Sequence, residues 1–454
     1  MQPSSELASQ AMQPSSELAI EPVTEPIAAT VQPPGSKSLT NRALVLAALG
    51  STGEPITLTG ALRSEDTEVM VESLRRLGFA AAFADATTIT VCRPAGSARI
   101  PAPHAELDVA NSGTSMRFLT ALVSLGVGSY RLDGVPRMRQ RPIADLLTAL
   151  DQLGVEARSE AGTGCPPVIV RGSGDWPGQR RIAVGGAVSS QFLSALMLSA
   201  PFVSGQTWFL PDQQAVSRSY VEMTRAVLRQ WGLAVTASPE EVYCIPGGQT
   251  TPCRHYAIEP DASAASYFFA AAAITGGQVR VPGLSRQSLQ GDVRFVDCLQ
   301  QMGCTVTWHA DAITVRGPER LRGVDVDLND LSDTAMTLAV VALFAEGPTT
   351  IRNVAHIRHK ETDRLAALAC ELSKLGGRVE QRADGLTIEP PARLRPARIH
   401  TYDDHRMAMS FALAGLRASG VVIENPACVG KTYPGYWDDL ASVCGRGGVS
   451  RSAG

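Results

Sequence analysis

At 454 residues the chain exceeds the size at which a single hydrophobic core ordinarily divides. Aromatic residues are only 5% of it, so the core falls to aliphatic side chains. A formal charge of −3 gives no global pull on nucleic acid or an anionic membrane, no apolar run reaches membrane-spanning length, and nine cysteines without CxxC or metal-type spacing point to reduced thiols in a cytoplasmic compartment.

The first feature in chain order is a duplication, MQPSSELA at Met1 and again at Met12. It carries neither an apolar signal core nor an Arg-rich transit composition, so residues 1–20 are expected to form a disordered tail. From there one unit is read six times. Gly78, Gly154, Gly232, Gly303, Gly376 and Gly445 close the units at spacings of 69 to 78 residues. The endings SLRRLGFAAAFADATTITV, ALDQLGVEARSEAGTGCPPVIV, VLRQWGLAVTASPEEVYCI, CLQQMGCTVTWHADAITV and ELSKLGGRVEQRADGLTI align. Each reads as an amphipathic helix stopped by a glycine in the left-handed position, then two β-rich runs around a polar turn. The sixth ending, DDLASVCGRGG, stops before its strands. The front half of each unit is a polar cluster, an apolar helix, a Gly-containing turn and a strand: PITLTG, SYRLDG, QTWFLP, QVRVPG, TTIRNV, VVIENP. The unit is therefore helix, strand, helix, strand, strand, an α/β pattern.

A period near 70 is too long for solenoid repeats of about 20 to 50 residues and suits pseudo-symmetric subdomains in closed domains. The stretch IPGGQTTPCRH between the third and fourth units divides them into two groups of three, with a boundary near Tyr256 to Glu259.

Chemistry gathers where helices begin. The first helices start at GSKSLTNR, NSGTSMR, SSQF, DASAAS, SDTAMT and DDHRMA, the second at RSEDT, RMRQRP, SRSY, LQGD, HKETDR and GKTYP. Helix N-termini offer unsatisfied N–H groups and about half a positive charge. Lys37, Arg42, Arg117, Arg141, Arg364, Arg406 and Lys431 near such starts oppose that dipole, and a negative ligand is the simplest compensation. Taken singly, Ser189, Ser190 or Asp261 is an ordinary N-cap, RMRQRPI a solvated turn, HKETDR a salt-bridged face and His405 a satisfied structural histidine. Recurrence of cations at equivalent positions argues instead for one anion-binding cleft between two domains. There is no GxxxxGK[ST], GxGxxG, HExxH or CxxC, so no nucleotide, metal or redox cofactor is expected.

At these residues the chain resembles the 5-enolpyruvylshikimate-3-phosphate synthase (3-phosphoshikimate 1-carboxyvinyltransferase) family. PPGSKSLTNRALVLAALG, NSGTSMR, LDGVPRMRQRPI, SSQFLSALMLSAP, SYVEMT, EPDASAASYFFAAAAITGG, SLQGDV, DTAMTLAVVALFAEGPTTIRN, KETDRL, TYDDHRMAMSFAL and KTYPGYWDDL match in family order from about Ile20 to Leu440. The resemblance implies a two-domain enolpyruvyl transferase fold, each domain three pseudo-symmetric βαβαββ units around a cleft. Residues 35–258 would be the N-terminal domain, residues 21–34 with 259–446 the C-terminal domain, and 447–454 a second tail. The implied reaction moves the enolpyruvyl group of phosphoenolpyruvate to the 5-hydroxyl of shikimate 3-phosphate and releases phosphate, in a cytoplasmic monomer without cofactor, metal, nucleic acid or membrane partner.

By the same resemblance, Lys37, Ser38, Arg42, Ser189, Ser190, Gln191, Ser217, Asp333, His356 and Lys360 surround shikimate 3-phosphate. Lys37, Asn111, Gly113, Arg141, Gln191, Arg364, Asp404, Arg406 and Lys431 surround phosphoenolpyruvate. Gly113 would leave room for a ligand against the backbone. Addition and elimination call for two carboxyl groups at opposite sides of the reacting centre. Asp333 matches the one at the 5-hydroxyl, and Glu361, or else Lys431, the one at the methylene carbon. Basic faces on two domains should repel until an anionic substrate draws them together.

The chain departs from the family pattern at Phe118, where many relatives have proline, which bears on sensitivity to the phosphoenolpyruvate mimic glyphosate. It departs also at His356, and at Arg218 and Ser219, which could alter the phosphate pocket. The sister transferase acting on UDP-N-acetylglucosamine carries Lys-Asn and a loop cysteine, against Lys37-Ser38 and the cysteine-free PRMRQRP here. A non-catalytic phosphometabolite-binding protein would not need Asp333, Glu361 and Lys431 together.

Overall fold

A computed structural model describes residues 17–176, 178–212 and 216–445. Its helices come in six pairs: α1 (Lys37–Gly50) and α2 (Glu65–Arg76), α3 (Gly113–Val123) and α4 (Ala144–Gln152), α5 (Gln191–Ser199) and α6 (Arg218–Gln230), α7 (Ala262–Thr275) and α8 (Phe295–Gln301), α9 (Ala335–Val341) and α10 (Arg364–Lys374), α11 (His405–Gly415) and α12 (Tyr436–Val443). The first helix of a pair is apolar all round and lies inside: every residue of α3, α7, α9 and α11 is buried. The second is amphipathic. In α2, Met70, Val71 and Leu74 face inward while Arg75 and Arg76 stay outside. Each closing glycine of the six units has positive φ, between 70° and 108°, the conformation that ends a helix most easily without a Cβ.

Each helix pair covers a small mixed sheet of repeated design. In the second unit His104–Asp108 runs parallel to Val127–Asp133, which pairs antiparallel with Val168–Ser173, which pairs antiparallel with Glu156–Ser159. The third and fifth units repeat this order. In the first unit the parallel strand comes from far along the chain, His255–Ala257 beside Ile56–Thr59. In the fourth it comes from near the N-terminus, Ala28–Thr30 beside Gln278–Pro282. The sixth sheet holds Ala397–Ile399, Val421–Glu424 and, antiparallel to the latter, Glu17–Ile20.

That last strand corrects the expectation of a disordered tail at 1–20. Glu17–Ile20 is ordered, with Leu18 and Ile20 buried, and it covers an edge that the truncated sixth unit would leave bare. Residues 1–16 and the expected second tail at 447–454 lie outside the described residues.

Buried apolar side chains form two clusters. One spans Leu39 to Ile258, and the other joins Leu18–Val31 to Ala262–Val443. The chain passes between them twice, side by side: Ser36 N donates to Glu259 O at 2.9 Å and Asp261 N to Pro34 O at 2.8 Å. The first helices of the units point their N-termini at the gap between the clusters.

Candidate active site

Helix starts divide the labour between neighbouring residues. Ser36, Ser112, Asp261, Asp363 and Asp404 are true N-caps, each side chain accepting a backbone N–H from the first turn. The cations beside them turn into one cleft. It leaves about 20 Å³ of room for water-sized occupants and is lined by Lys37, Gly113, Thr114, Arg141 and Gln191 from one half and by Asp333, Lys360, Glu361, Arg364, His405 and Arg406 from the other. Five cations face two carboxylates there, an excess of positive charge in the lining.

Arg364, 1% exposed, ties three carboxylates together. Its Nε donates to Asp404 Oδ2 at 2.7 Å, its Nη2 to Glu361 Oε2 at 2.9 Å and its Nη1 to Asp333 Oδ1 at 3.3 Å. Arg406 Nη2 donates to Asp333 Oδ2 at 2.8 Å, and Lys360 Nζ stands 3.9 Å from Oδ1. Burial alone would keep Asp333 protonated, but Arg406, Lys360, Arg364 and Lys37 outweigh it and hold its carboxyl well below the usual range. Glu361 is treated alike: burial opposes its charge, and Arg364, Arg141 and Lys431 prevail. Both are carboxylates at neutral pH.

The idea that these cations lack compensation without a ligand is thus corrected. Asp333, Glu361 and Asp404 meet Arg364 and Arg406. Asp66, at the start of α2, meets Lys431 Nζ at 2.6 Å and Lys37 Nζ at 3.4 Å, one lysine from each half. Arg141 Nη1 donates to Asn111 O at 2.9 Å and Oδ1 at 3.2 Å and lies 3.8 Å from Glu361 Oε1. A Cβ on Gly113 would collide with that guanidinium, so the glycine makes room for Arg141 in its present position. Arg117 is a brace: it donates to Gly113 O at 3.3 Å and Pro142 O at 2.5 Å, holding the Arg141 loop to α3, and burial with Arg141 nearby pulls it down to about 9.

The remaining candidates lie beside the cavity. Arg42 is buried and donates to Ser38 O, Thr224 Oγ1, Ser194 Oγ and Tyr220 O, joining three helices, and burial lowers it to about 10. Ser189 Oγ accepts from Gln191 N, and Ser190, in helical conformation, forms no side-chain cap. Ser217, at φ 53°, presents its hydroxyl to Asn329 O, Ser332 Oγ and His356 Nε2 across the gap. His356 is driven down to about 3 by burial and then by Lys360, so it is neutral. Arg218 pairs with Glu241 and Ser219 with Asp330 O, and neither lines the cavity. Phe118 is buried under the Arg42 guanidinium, 5.4 Å from its ring centre.

A model of the EPSP synthase (3-phosphoshikimate 1-carboxyvinyltransferase) family matches residues 22–440. The chain belongs to that family. It is 46% identical over 428 residues to 3-phosphoshikimate 1-carboxyvinyltransferase of Trichormus variabilis, covering 94% of this chain and 99% of that protein. It is 45% identical over 441 residues to the chloroplastic enzyme of Brassica napus, covering 93% and 84%. Its fold is shared with EPSP synthase from Acinetobacter baumannii, at a TM-score of 0.77, 24% identity and coverage of 94% and 98%. The enolpyruvyl transferase NikO from Streptomyces tendae has the same fold, at 0.71, 22% identity, 95% and 98%.

Two residues of the cleft escaped sequence reasoning, and a third, His405, was weighed there only as a structural histidine. Thr114 lines the cleft beside Gly113 and accepts from Gln191 Nε2 at 3.4 Å. Asp66 had a signal, its place in RSEDT at a second-helix start, but its link to Lys431 is made across the cleft. His405 is buried with neither ring nitrogen hydrogen-bonded, and burial and Arg406 keep it neutral, so it is not the satisfied histidine of the structural alternative.

Proposed function

We propose that this cleft transfers the enolpyruvyl group of phosphoenolpyruvate to the 5-hydroxyl of shikimate 3-phosphate with release of phosphate, using Asp333 at the hydroxyl and Glu361 at the methylene carbon. The observation that carries the residue assignments is that both carboxylates are ionised and bound to one guanidinium, Glu361 buried and Asp333 half-buried, in a cavity whose other charges are cations. Phosphate and carboxylate groups would take bidentate hydrogen bonds from Arg141, Arg364 and Arg406, with Lys37, Lys360 and Lys431 as point charges. As substrate anions draw on these donors, Asp333 and Glu361 lose counter-charge and become better bases. Asp333 then takes the hydroxyl proton while Glu361, or Lys431, delivers one to the methylene carbon; elimination reverses the latter transfer and frees phosphate. His405, neutral and uncommitted, adds a polar wall without adding charge.

Shikimate 3-phosphate would extend from Lys37 and Lys360 toward Ser38, Ser189, Ser190, Ser217 and His356, and phosphoenolpyruvate toward Asn111, Gly113 and Arg141. A cytoplasmic setting belongs to the same reading, supported by nine free cysteines, and so does a monomer. Among the described residues no helix is long and apolar enough to cross a membrane. Phosphate release measured with phosphoenolpyruvate and each acceptor in turn tests the function: turnover with shikimate 3-phosphate and none with UDP-N-acetylglucosamine is expected, and the opposite selectivity overturns it.

A further inference from the structure

Behind Asp333, on the side away from the cavity, lies a second carboxyl that the reaction as written does not use. Asp292 belongs to the turn Gly291–Arg294 that precedes α8 and is 3% exposed. Its Oδ2 accepts from the Tyr220 hydroxyl at 2.9 Å and from Ser263 Oγ, while Oδ1 is buried with no hydrogen-bond partner. The same Tyr220 hydroxyl lies 3.2 Å from Asp333 Oδ2. One phenolic proton therefore stands between two carboxyl groups.

We infer that Asp292, acting through the Tyr220 hydroxyl, stores the proton that Asp333 takes from the acceptor hydroxyl and returns it for the departing phosphate. This rests on the reading of Asp333 given above. The 5-hydroxyl O–H bond breaks as its oxygen attacks, and the proton passes to Asp333 Oδ2. It moves on to the Tyr220 oxygen as the phenolic proton passes to Asp292 Oδ2, leaving Asp333 ionised and Tyr220 neutral. In elimination the path runs backward: Tyr220 takes the proton from Asp292, Asp333 takes one from Tyr220, and Asp333 protonates the leaving phosphate. The hydroxyl proton thus ends on inorganic phosphate, and Glu361 handles only the methylene proton.

The direction of flow follows from the surroundings. Asp333 is clamped by Arg406 and Arg364 and is a poor resting place for a proton. Asp292 is pushed up to about 6, by burial first and then by the charge of Asp333, and is the better one. Tyr220 is held well above 10 by burial, so it conducts without ionising. The groups facing Asp292 are Tyr220 from α6, Ser263 from α7, Asp333 from the turn before α9 and Arg406 from α11. Arg294 on its own turn pairs with Asp330 at the rim.

The test is the pH dependence of kcat in the intact enzyme for wild type, Asp292→Asn, Tyr220→Phe and Asp333→Asn. An ionised Asp292 is needed to accept the proton, so wild-type kcat should fall as pH drops through about 6. Asp292→Asn and Tyr220→Phe should each lower kcat by about 10²-fold, leave both KM values within about twofold and lose that acid limb. Full kcat with an unchanged limb in both variants, beside an inactive Asp333→Asn, overturns the store and leaves the base assignment standing. An active Asp333→Asn overturns both. If Asp292→Asn fails to fold, Tyr220→Phe alone decides by the same profile.

Discussion

Asp333 shares its two oxygens among Arg406, Arg364 and the Tyr220 hydroxyl, so its replacement separates chemistry from packing. Asp333→Asn is nearly isosteric and keeps one acceptor, but it cannot take up a proton. A kcat loss of roughly 10² to 10⁴ is expected with a near-native melting temperature, read by phosphate release and thermal unfolding. Wild-type turnover in a folded variant would return this residue to a structural role. Arg141→Ala should raise the KM for phosphoenolpyruvate by a factor equivalent to roughly 2 to 4 kcal/mol and leave acceptor affinity nearly unchanged. Equal loss for both substrates would make Arg141 a shaper of the Gly113 loop. The carboxyls also set a pH dependence of stability. Asp333 and Glu361 ionise well below their unfolded values near 3.8 and 4.5, so unfolding takes up protons in acid. Their contribution is complete above about pH 5 and declines as pH falls through and below these values. Melting temperatures followed from pH 7 downward should show the decline, and Asp333→Asn should flatten it.

At the scale of single elements, the repeat was readable because each helix carries its own punctuation. An N-capping Ser or Asp opens many of them and a left-handed glycine closes each unit, both local requirements of the backbone. The strand Glu17–Ile20 was missed because its stability is not local. ELAI is short and follows a duplicated polar segment, and only the bare edge of Val421–Glu424, about 400 residues away, gives it a partner. The strand should therefore be sensitive to its two buried side chains. Leu18→Ala, at a position 5% exposed, should cost about 2 to 3 kcal/mol in denaturant unfolding, while a substitution at exposed Ala19 should cost under about 0.5. Equal small effects at both positions would mean that the strand adds little to the sixth unit.

Across the whole molecule, two cores meet at a cleft that also holds direct links between them. Lys431 reaches Asp66 and Asn111 O, Arg137 donates to Lys360 O at 2.9 Å, and Ser217 N donates to Asn329 Oδ1 at 2.9 Å. Only two adjacent chain crossings join the halves covalently, so parting them must break these links together with those of Ser217, Ser219 and Tyr220 to the facing half, and rotate the crossings. The cavity leaves only about 20 Å³ of room for water-sized occupants, far below the roughly 300 to 1,000 Å³ of ordinary ligand sites, so admission of two phosphorylated substrates calls for such parting. Solution scattering should then show compaction at saturating shikimate 3-phosphate, because an added anion bridges cations of both halves. An unchanged radius of gyration would remove closure from the cycle.

What the amino-acid order determined alone was whatever depends on near neighbours: helix starts and stops, the six-fold repeat, and the clustering of cations at equivalent starts. Family motifs extended this to Asp333, Glu361 and the ring of basic residues. Tertiary structure decided which charges answer which. Asp66 lies 365 positions from Lys431, Arg364 lies 40 from Asp404, and Asp292 reaches Asp333 only through a tyrosine on the other half. It also decided that Arg117 and Arg42 brace helices, that Gly113 makes way for an arginine, and that two sheets borrow strands from distant parts of the chain. The physical reason is common to all of them. Burial makes an unpaired charge or a bare sheet edge costly, and the partner that removes the cost is chosen by where the fold brings the chain back, which no local spacing records.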